Sequence, residues 1–396
     1  MSVRTGREFL SIPGPTNIPD SVLSAMHQPA IDIYQKDFPR LTDTLLQDLK
    51  DVFNTKGKTF IFIANGHGAW EAALSNVCSR GDKVLVLESG LFANGWGAAG
   101  ATLGLDIEIL QGSWQEAVKP NVVAARLKQD TNHEIKAILM VQVDTASSLV
   151  NDVAAVGKAI KSSNHPALFM VDTIASLGTM EFEMDNWGVD VAVAAAQKGL
   201  MSPPGLSFNA VSKRAMEVHQ TANLRTAYWD WTGRMGDIHY QKYSGTPPEH
   251  LLFALEQSFK ILKEETVEAA SYRHRLLAGA TWAAVEKWAE GGVLSFNVPK
   301  PEDRSTGVTT VLFEESYAPA ELLEYCDKKC GVIVGIGIGA LDGKAMRIAH
   351  MGFANAPMLL GTLGTIEIGL KALGIPHGSG GTEAAIKFLA ENVSPT

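Results

Sequence analysis

Five short, mainly apolar runs stand in the first half of the chain: TFIFIA at 59–64, KVLVL at 83–87, KAILMVQV at 136–143, ALFMV at 167–171 and VDVAVAAA at 189–196. Runs of this length without polar alternation suit strands covered on both faces, the mark of a parallel sheet. Amphipathic stretches between them predict helices, and with them right-handed crossovers and an α/β fold. The first twenty residues hold Pro13, Gly14, Pro15 and Pro19 and read as an extended arm. After Thr246-Pro247-Pro248 the apolar spacing over 250–289 predicts one long helix. Beyond it, VTTVLF at 308–313, a helix near 318–329 and short runs at 332–334 and 346–349 predict a smaller α+β unit. The chain's 396 residues exceed what one core usually serves. The expected organisation is therefore an arm (1–20), a large domain with a mostly parallel central sheet (21–270) and a small C-terminal α+β domain (271–396).

Composition narrows the class. Apolar residues make up 46% and charged residues 19%, which is ordinary globular composition. The net charge of −9, with no dense basic stretch, argues against nucleic acid as a partner. No apolar run reaches membrane-spanning length, and 1–20 lacks a signal-peptide pattern. Cys78, Cys326 and Cys330 form neither a disulfide framework nor zinc-site spacing, so a reducing cytoplasm is expected, with no metal site.

Ligands of an open parallel sheet sit beyond the carboxyl ends of its strands, so the residues ending each run matter most. TFIFIA ends in Asn65-Gly66-His67-Gly68-Ala69-Trp70-Glu71, a glycine loop opening a helix and suited to a phosphate; a plain strand-to-helix turn reads equally well. ALFMV ends in Asp172, a carboxylate that burial makes costly unless it faces a cation such as a protonated pyridine nitrogen. An N-cap or ion pair is the bland reading. VDVAVAAAQ ends in Lys198, whose partly desolvated amine would be neutral and nucleophilic; a lone lysine more often snorkels to solvent. The three together are more specific than any one. The spacing of Asp172 and Lys198 fits one strand-to-strand crossover. Acid, amine and phosphate cradle on one sheet edge match the ring nitrogen, aldehyde and phosphate of pyridoxal 5′-phosphate.

At these residues the sequence resembles the class V, fold-type I aminotransferases, most closely the alanine/serine–glyoxylate branch. The likeness runs from Pro13-Gly14-Pro15-Thr16-Asn17-Ile18-Pro19 to the C-terminal part. It is most specific over Met184-Asp185-Asn186-Trp187-Gly188-Val189-Asp190, Gln197-Lys198-Gly199 and Ser202-Pro203-Pro204-Gly205-Leu206. The resemblance implies that Lys198 holds the cofactor as a Schiff base and Asp172 pairs with its ring nitrogen. It implies that Ile174 and Phe92 cover the two ring faces, and that Thr145 lies near the phenolic oxygen. Gly66, His67 and Gln197 are implied at the phosphate, and Arg347 at the substrate carboxylate. Tyr243 and Thr246 resemble residues that reach the cofactor of a neighbouring subunit, which implies a homodimer with shared sites. The implied reaction moves an amino group from serine or alanine to glyoxylate or pyruvate.

Three segments depart from the branch pattern. Asp32-Ile33-Tyr34-Gln35 stands where Asp-His-Arg-Ser is usual, and Ala195-Ala196-Gln197-Lys198 where Gly-Ser-Gln-Lys is common. Val143-Asp144-Thr145-Ala146-Ser147-Ser148 replaces Asn-Glu-Thr-Ala-Thr-Gly, so Ser148 takes a glycine's place. These changes bear on substrate preference. An acidic donor such as aspartate, with Arg225 as a second carboxylate contact, is the alternative within the same chemistry. A cysteine desulfurase-like lyase is a further rival, given Cys326 and Cys330, though a helical setting suits both thiols better than a reactive loop. Gly335-Ile336-Gly337-Ile338-Gly339-Ala340 formally satisfies a dinucleotide fingerprint, but Leu341-Asp342-Gly343-Lys344 reads as a turn, not the helix that motif requires. A non-catalytic sensor or scaffold is weaker still, since no fused DNA-binding helix pair precedes Pro13.

Overall fold

The computed structural model describes residues 2–35 and 37–394. The chain begins with β1 (Phe9–Ser11), α1 (Asp20–Ala25), α2 (Asp37–Phe53), β2 (Lys58–Ile63), α3 (Gly66–Val77), β3 (Lys83–Leu87), α4 (Leu91–Thr102), β4 (Asp106–Leu110), α5 (Pro120–Gln129) and β5 (Ile135–Val141). A short hairpin follows, β6 (Val143–Asp144) and β7 (Leu149–Val150), then α6 (Val153–Ser162), β8 (Leu168–Asp172), β9 (Val191–Ala195), β10 (Leu206–Val211) and α7 (Lys213–His219). The remainder is α8 (Glu249–Glu265), α9 (Val267–Ala289), β11 (Leu294–Phe296), β12 (Val308–Phe313), α10 (Pro319–Tyr325), β13 (Val332–Ile336), β14 (Ala345–Ala349), α11 (Ala356–Ala372) and α12 (Gly381–Asn392).

Seven strands form the large sheet in the order β2-β10-β9-β8-β5-β3-β4. The pairs β4/β3, β3/β5, β5/β8 and β8/β9 are parallel, while β10 is antiparallel to both its neighbours. Only β10 therefore opposes the common direction, and the carboxyl ends of β2, β8 and β9 open on one edge. Alternate residues serve opposite faces. Phe169 and Val171 join one apolar cluster with α2, α6 and α8, while Leu168 and Met170 join another with α3 and α4. Burial on both sides is what makes the runs continuous. The strand β10 escaped the sequence reading because Ser207 and Asn209 break its apolar run, yet both are fully buried. Asn209 is satisfied there, donating to Ala69 O at 3.1 Å and accepting from Trp231 Nε1 at 3.3 Å.

The second sheet, β1-β13-β14-β12-β11, packs on α9, α11 and α12 through a third apolar cluster. Its edge strand comes from the N-terminal arm: β1 lies parallel to β13, with Phe9 opposite Val332. The arm is thus an integral strand as well as an extended lead-in.

Three local expectations are corrected. The 250–289 helix is two helices, because Thr266 adopts φ +70° and caps the second by accepting from Ala269 N at 3.2 Å. The link from β8 to β9 holds turns and no helix, among them Gly178 and Gly188 at φ +80° and +71°. The helix at α10 gives way to a π-helical turn over Cys326–Cys330. Past Ile336 comes only a short 3-10 turn, Gly339–Leu341, so no helix follows the glycine-rich segment there.

Candidate active site

Asp172 is the last residue of β8 and pairs with Val193 on β9, whose continuation leads to Lys198. The acid and the amine accordingly leave adjacent parallel strands at the same edge. Asp172 is 3% exposed, and each of its oxygens accepts one hydrogen bond: Oδ1 from Ile174 N at 2.7 Å, Oδ2 from Trp70 Nε1 at 2.6 Å. Burial pushes its carboxyl up to about 7, against the pull of those donors and of Lys198.

Lys198 is held from the far end of the sequence. Its Nζ donates to Pro13 O, and its backbone oxygen accepts from Thr16 Oγ1 at 3.0 Å and Met201 N at 3.0 Å. The side chain lies across Gly14, where a Cβ would fall 2.5 Å from both Cε and Nζ. Position 14 also has φ +109°, so glycine is required there twice over. Burial, with the nearby Arg347 charge, lowers the amine to about 8, while Asp172 and Asp144 oppose the shift.

The glycine loop is the first turn of α3. Asn65 caps it, accepting from His67 N at 3.1 Å and Gly68 N at 3.4 Å. Gly66 lets Ile174 approach closely, since a Cβ at 66 would sit 2.4 Å from Ile174 Cδ1. His67 is exposed with its ring 4.5 Å from that of Trp70. Gln197 precedes Lys198, and its Oε1 is buried without a hydrogen-bond partner. Rotating that amide by half a turn presents Nε2 instead.

Arg347 lies on β14 opposite Thr310 of β12 and Gly335 of β13. Its Nε donates to Ile336 O at 2.6 Å and its Nη1 to Thr145 O at 3.0 Å. The guanidinium so reaches from the small sheet to the loop after β6. It is 8% exposed, and burial lowers it to about 10. Phe92, in the first turn of α4, is half-buried with its ring 6.4 Å from Trp70. Lys198, Asp172, Ile174, Gly66, His67, Gln197, Thr145, Phe92 and Arg347 therefore gather at one edge.

Tyr243 does not join them. It is 1% exposed, packs against Phe38 and shares a 3.1 Å hydrogen bond with Thr42 Oγ1 inside its own subunit. Thr246, three residues on, is exposed. Tyr34 is 68% exposed and stands edge-on to Tyr240 at 5.2 Å. Arg225 is exposed, with Nε on Ala222 O at 3.1 Å. Burial pushes the Cys326 thiol up to about 12 and also raises Cys330, the reverse of what a reactive thiolate needs.

The sequence reading passed over Trp70 and Asp144. Trp70 stacks on Trp96 at 6.1 Å and bonds Asp172, so it joins the acid to the aromatic wall. A tryptophan four positions into a helix that starts at the sheet edge was a usable signal, since a buried indole N–H needs an acceptor. Among the described residues no helix is long and apolar enough to cross a membrane.

Comparison with known proteins agrees with this geometry. The family model for "Aminotransferase class-V" matches residues 9–350. A serine–glyoxylate aminotransferase of Methylorubrum extorquens is 38% identical, with 98% of each chain covered. An L-aspartate–glyoxylate aminotransferase of Paracoccus denitrificans is 34% identical, with 96% of each covered. The crystal structure of an alanine–glyoxylate aminotransferase from Nostoc sp. superposes with a TM-score of 0.84 at 27% identity, covering 93% of this chain and 96% of that one. With its acid and amine at the ends of neighbouring strands and a family match spanning most of its length, this chain belongs to the class-V aminotransferases.

Proposed function

We propose that this aminotransferase uses pyridoxal 5′-phosphate to move the amino group of serine or alanine to a small 2-oxo acid, glyoxylate or pyruvate. The observation that carries this reading is that buried Asp172 and Lys198 leave adjacent parallel strands at one edge, with Arg347 beside them. The residues present fit the cofactor. Asp172 is a buried carboxylate bonded to neutral donors only, suited to a cationic ring nitrogen. Gln197, the residue before Lys198, has a buried amide oxygen without a partner, and a flipped amide there would offer an N–H to a phosphate.

When bound, pyridoxal phosphate supplies an aldehyde that captures amines and a ring that accepts the electron pair released at the substrate α-carbon. Lys198 Nζ would be the point of attachment for that aldehyde. Its partly desolvated amine would also serve as the group that moves a proton at the substrate α-carbon. Asp172 would keep a proton on the ring nitrogen, and Phe92 and Ile174 would cover the ring. Gly66, His67 and Gln197 would hold the phosphate, with Thr145 toward the phenolic oxygen. Arg347 grips the substrate carboxylate in two-point fashion and so sets which α-carbon bond faces Lys198. One buried guanidinium suits a monocarboxylate donor. Aspartate is the second reading, favoured by the Paracoccus relative's name. We also propose a homodimer, with Thr246 reaching the partner's site, and a cytoplasmic setting, consistent with three free cysteines.

A half-reaction screen tests the substrate. The yellow enzyme is mixed with single amino acids, and conversion to the pyridoxamine form is followed by absorbance. Serine and alanine are expected to bleach it; if they leave the spectrum unchanged while aspartate converts it, the second reading replaces the first. Lys198→Ala is expected to lose the borohydride-reducible attachment altogether, and an adduct found elsewhere by mass spectrometry would overturn the assignment.

A further inference from the structure

We infer that Asp144 is a positioning residue whose carboxylate sets Phe92, Thr145 and Arg347 relative to one another. The inference rests on the proposed transamination and names a determinant of that same site. Asp144 ends β6 and is fully buried. Its Oδ2 accepts from Phe92 N at 2.7 Å and Ala93 N at 3.2 Å, and its Oδ1 from Ala146 N at 3.0 Å.

The first two donors are orphan amides at the start of α4, where the N-cap residue Gly90 has no side chain to satisfy them. A carboxylate from a segment more than fifty residues away does so instead, at the end of the helix that attracts negative charge. Glycine at position 90 permits the approach: a Cβ there would lie 2.2 Å from Asp144 Cγ and 2.4 to 2.5 Å from its oxygens. The third bond folds the chain tightly around Thr145, whose carbonyl then meets Arg347 Nη1 at 3.0 Å. A continuous path runs from the Phe92 amide through one carboxylate to the Thr145 turn and on to the guanidinium.

The same anion has an electrostatic reach. Burial weakens the charged forms of Lys198 and Arg347, and Asp144 counts among the groups that oppose this at both. Burial also raises the Asp144 carboxyl itself, with the backbone amides of Phe92, Ala93, Ala146 and Ser147 pulling the other way. A mere helix cap would affect stability alone. A positioning residue also alters cofactor capture and the titration of Lys198.

The experiment compares the wild type with Asp144→Asn and Gly90→Ala. Asp144→Asn removes the charge and sets an amide donor against the α4 amides. Gly90→Ala displaces the carboxylate but keeps its charge. Three quantities are read on the full chain: the dissociation constant for pyridoxal phosphate by tryptophan fluorescence, the pH midpoint of Lys198 reductive methylation before cofactor loading, and the thermal melt. Both variants are expected to weaken cofactor binding at least about tenfold, which is about 1.4 kcal/mol. Only Asp144→Asn is expected to move the Lys198 midpoint downward. A folded Asp144→Asn with wild-type affinity and midpoint overturns the inference; should that variant not fold, unchanged affinity in Gly90→Ala overturns it. Failure of the wild type to bind pyridoxal phosphate would instead bring down the transamination reading on which it rests.

Discussion

At the level of single residues, burial brings the acid and the amine into neighbouring ranges, Asp172 up to about 7 and Lys198 down to about 8. The first shift has a thermodynamic sign. A carboxyl raised above its ordinary 3.8 penalises folding increasingly as pH climbs from 3.8 to about 7, because the unfolded chain ionises first; above that the penalty is complete. Before the cofactor is added, Asp172→Asn should therefore melt several degrees above the wild type at pH 8, with the gap closing by pH 4. The amide forfeits one of two hydrogen bonds, worth about 1 kcal/mol, which is less than the relief. Calorimetry at both pH values checks this; an Asn variant less stable at pH 8 would contradict the raised carboxyl. Asp172 and Lys198 were legible because each ends a buried run. Trp70 carried a signal in its place at the start of α3, whereas Asp144 did not, because its partners Phe92 and Ala93 lie 52 and 51 positions away. Ser148 makes sense only in three dimensions. It sits at φ +64°, where a glycine would be unstrained, and its hydroxyl bonds Thr310 Oγ1 at 2.5 Å.

Among the elements, the break between α8 and α9 turns on one residue. Thr266 has φ +70° and ψ 150°, a region that L side chains occupy at a cost of about 1–3 kcal/mol. Its hydroxyl offsets part of this by capping α9. Two substitutions there should have opposite signs. Thr266→Gly relieves the strain and remains an acceptable N-cap, so it should stabilise by about 1 kcal/mol; Thr266→Ala keeps the strain and loses the cap, so it should destabilise by about 1 kcal/mol. Urea titrations of both variants decide it, and equal effects would sink the explanation. The apolar spacing runs straight through Thr266, which is why periodicity alone joined the two helices. Periodicity likewise placed a crossover between β8 and β9 without showing that turns fill it. The parallel strands were readable because a sheet covered on both faces leaves no polar alternation, whereas β10 hides buried Ser207 and Asn209 among its apolar residues.

Across the molecule, the two sheets meet where Arg347 crosses to Thr145 and where Ser148 bonds both Thr310 and the Ser305 amide. Two fully buried histidines stand behind that seam. His274 Nε2 accepts from Gly352 N at 2.9 Å, and His350 bonds Thr309 and the Thr306 carbonyl. Burial lowers both to about 3. A base held neutral in the fold contributes stability that is present above its ordinary 6.5 and lost as pH falls towards 3. Over the same window Asp172 works in the other direction, so two histidines oppose one carboxyl. The urea midpoint of the cofactor-free protein should fall from pH 6.5 to 5, and fall more steeply in Asp172→Asn. A flat profile in that variant would mean the histidines are not held neutral.

The pairing of Phe9 with Val332 also sets a schedule for synthesis. The arm is synthesised well before its partner strand, which follows more than three hundred residues later. Until then the nascent chain carries an open edge, and the carbonyl that steadies the lysine amine has no fixed place. The large sheet is complete by Val211, so a half-made protein can own its buried lysine long before it owns the strand that anchors the arm beside it.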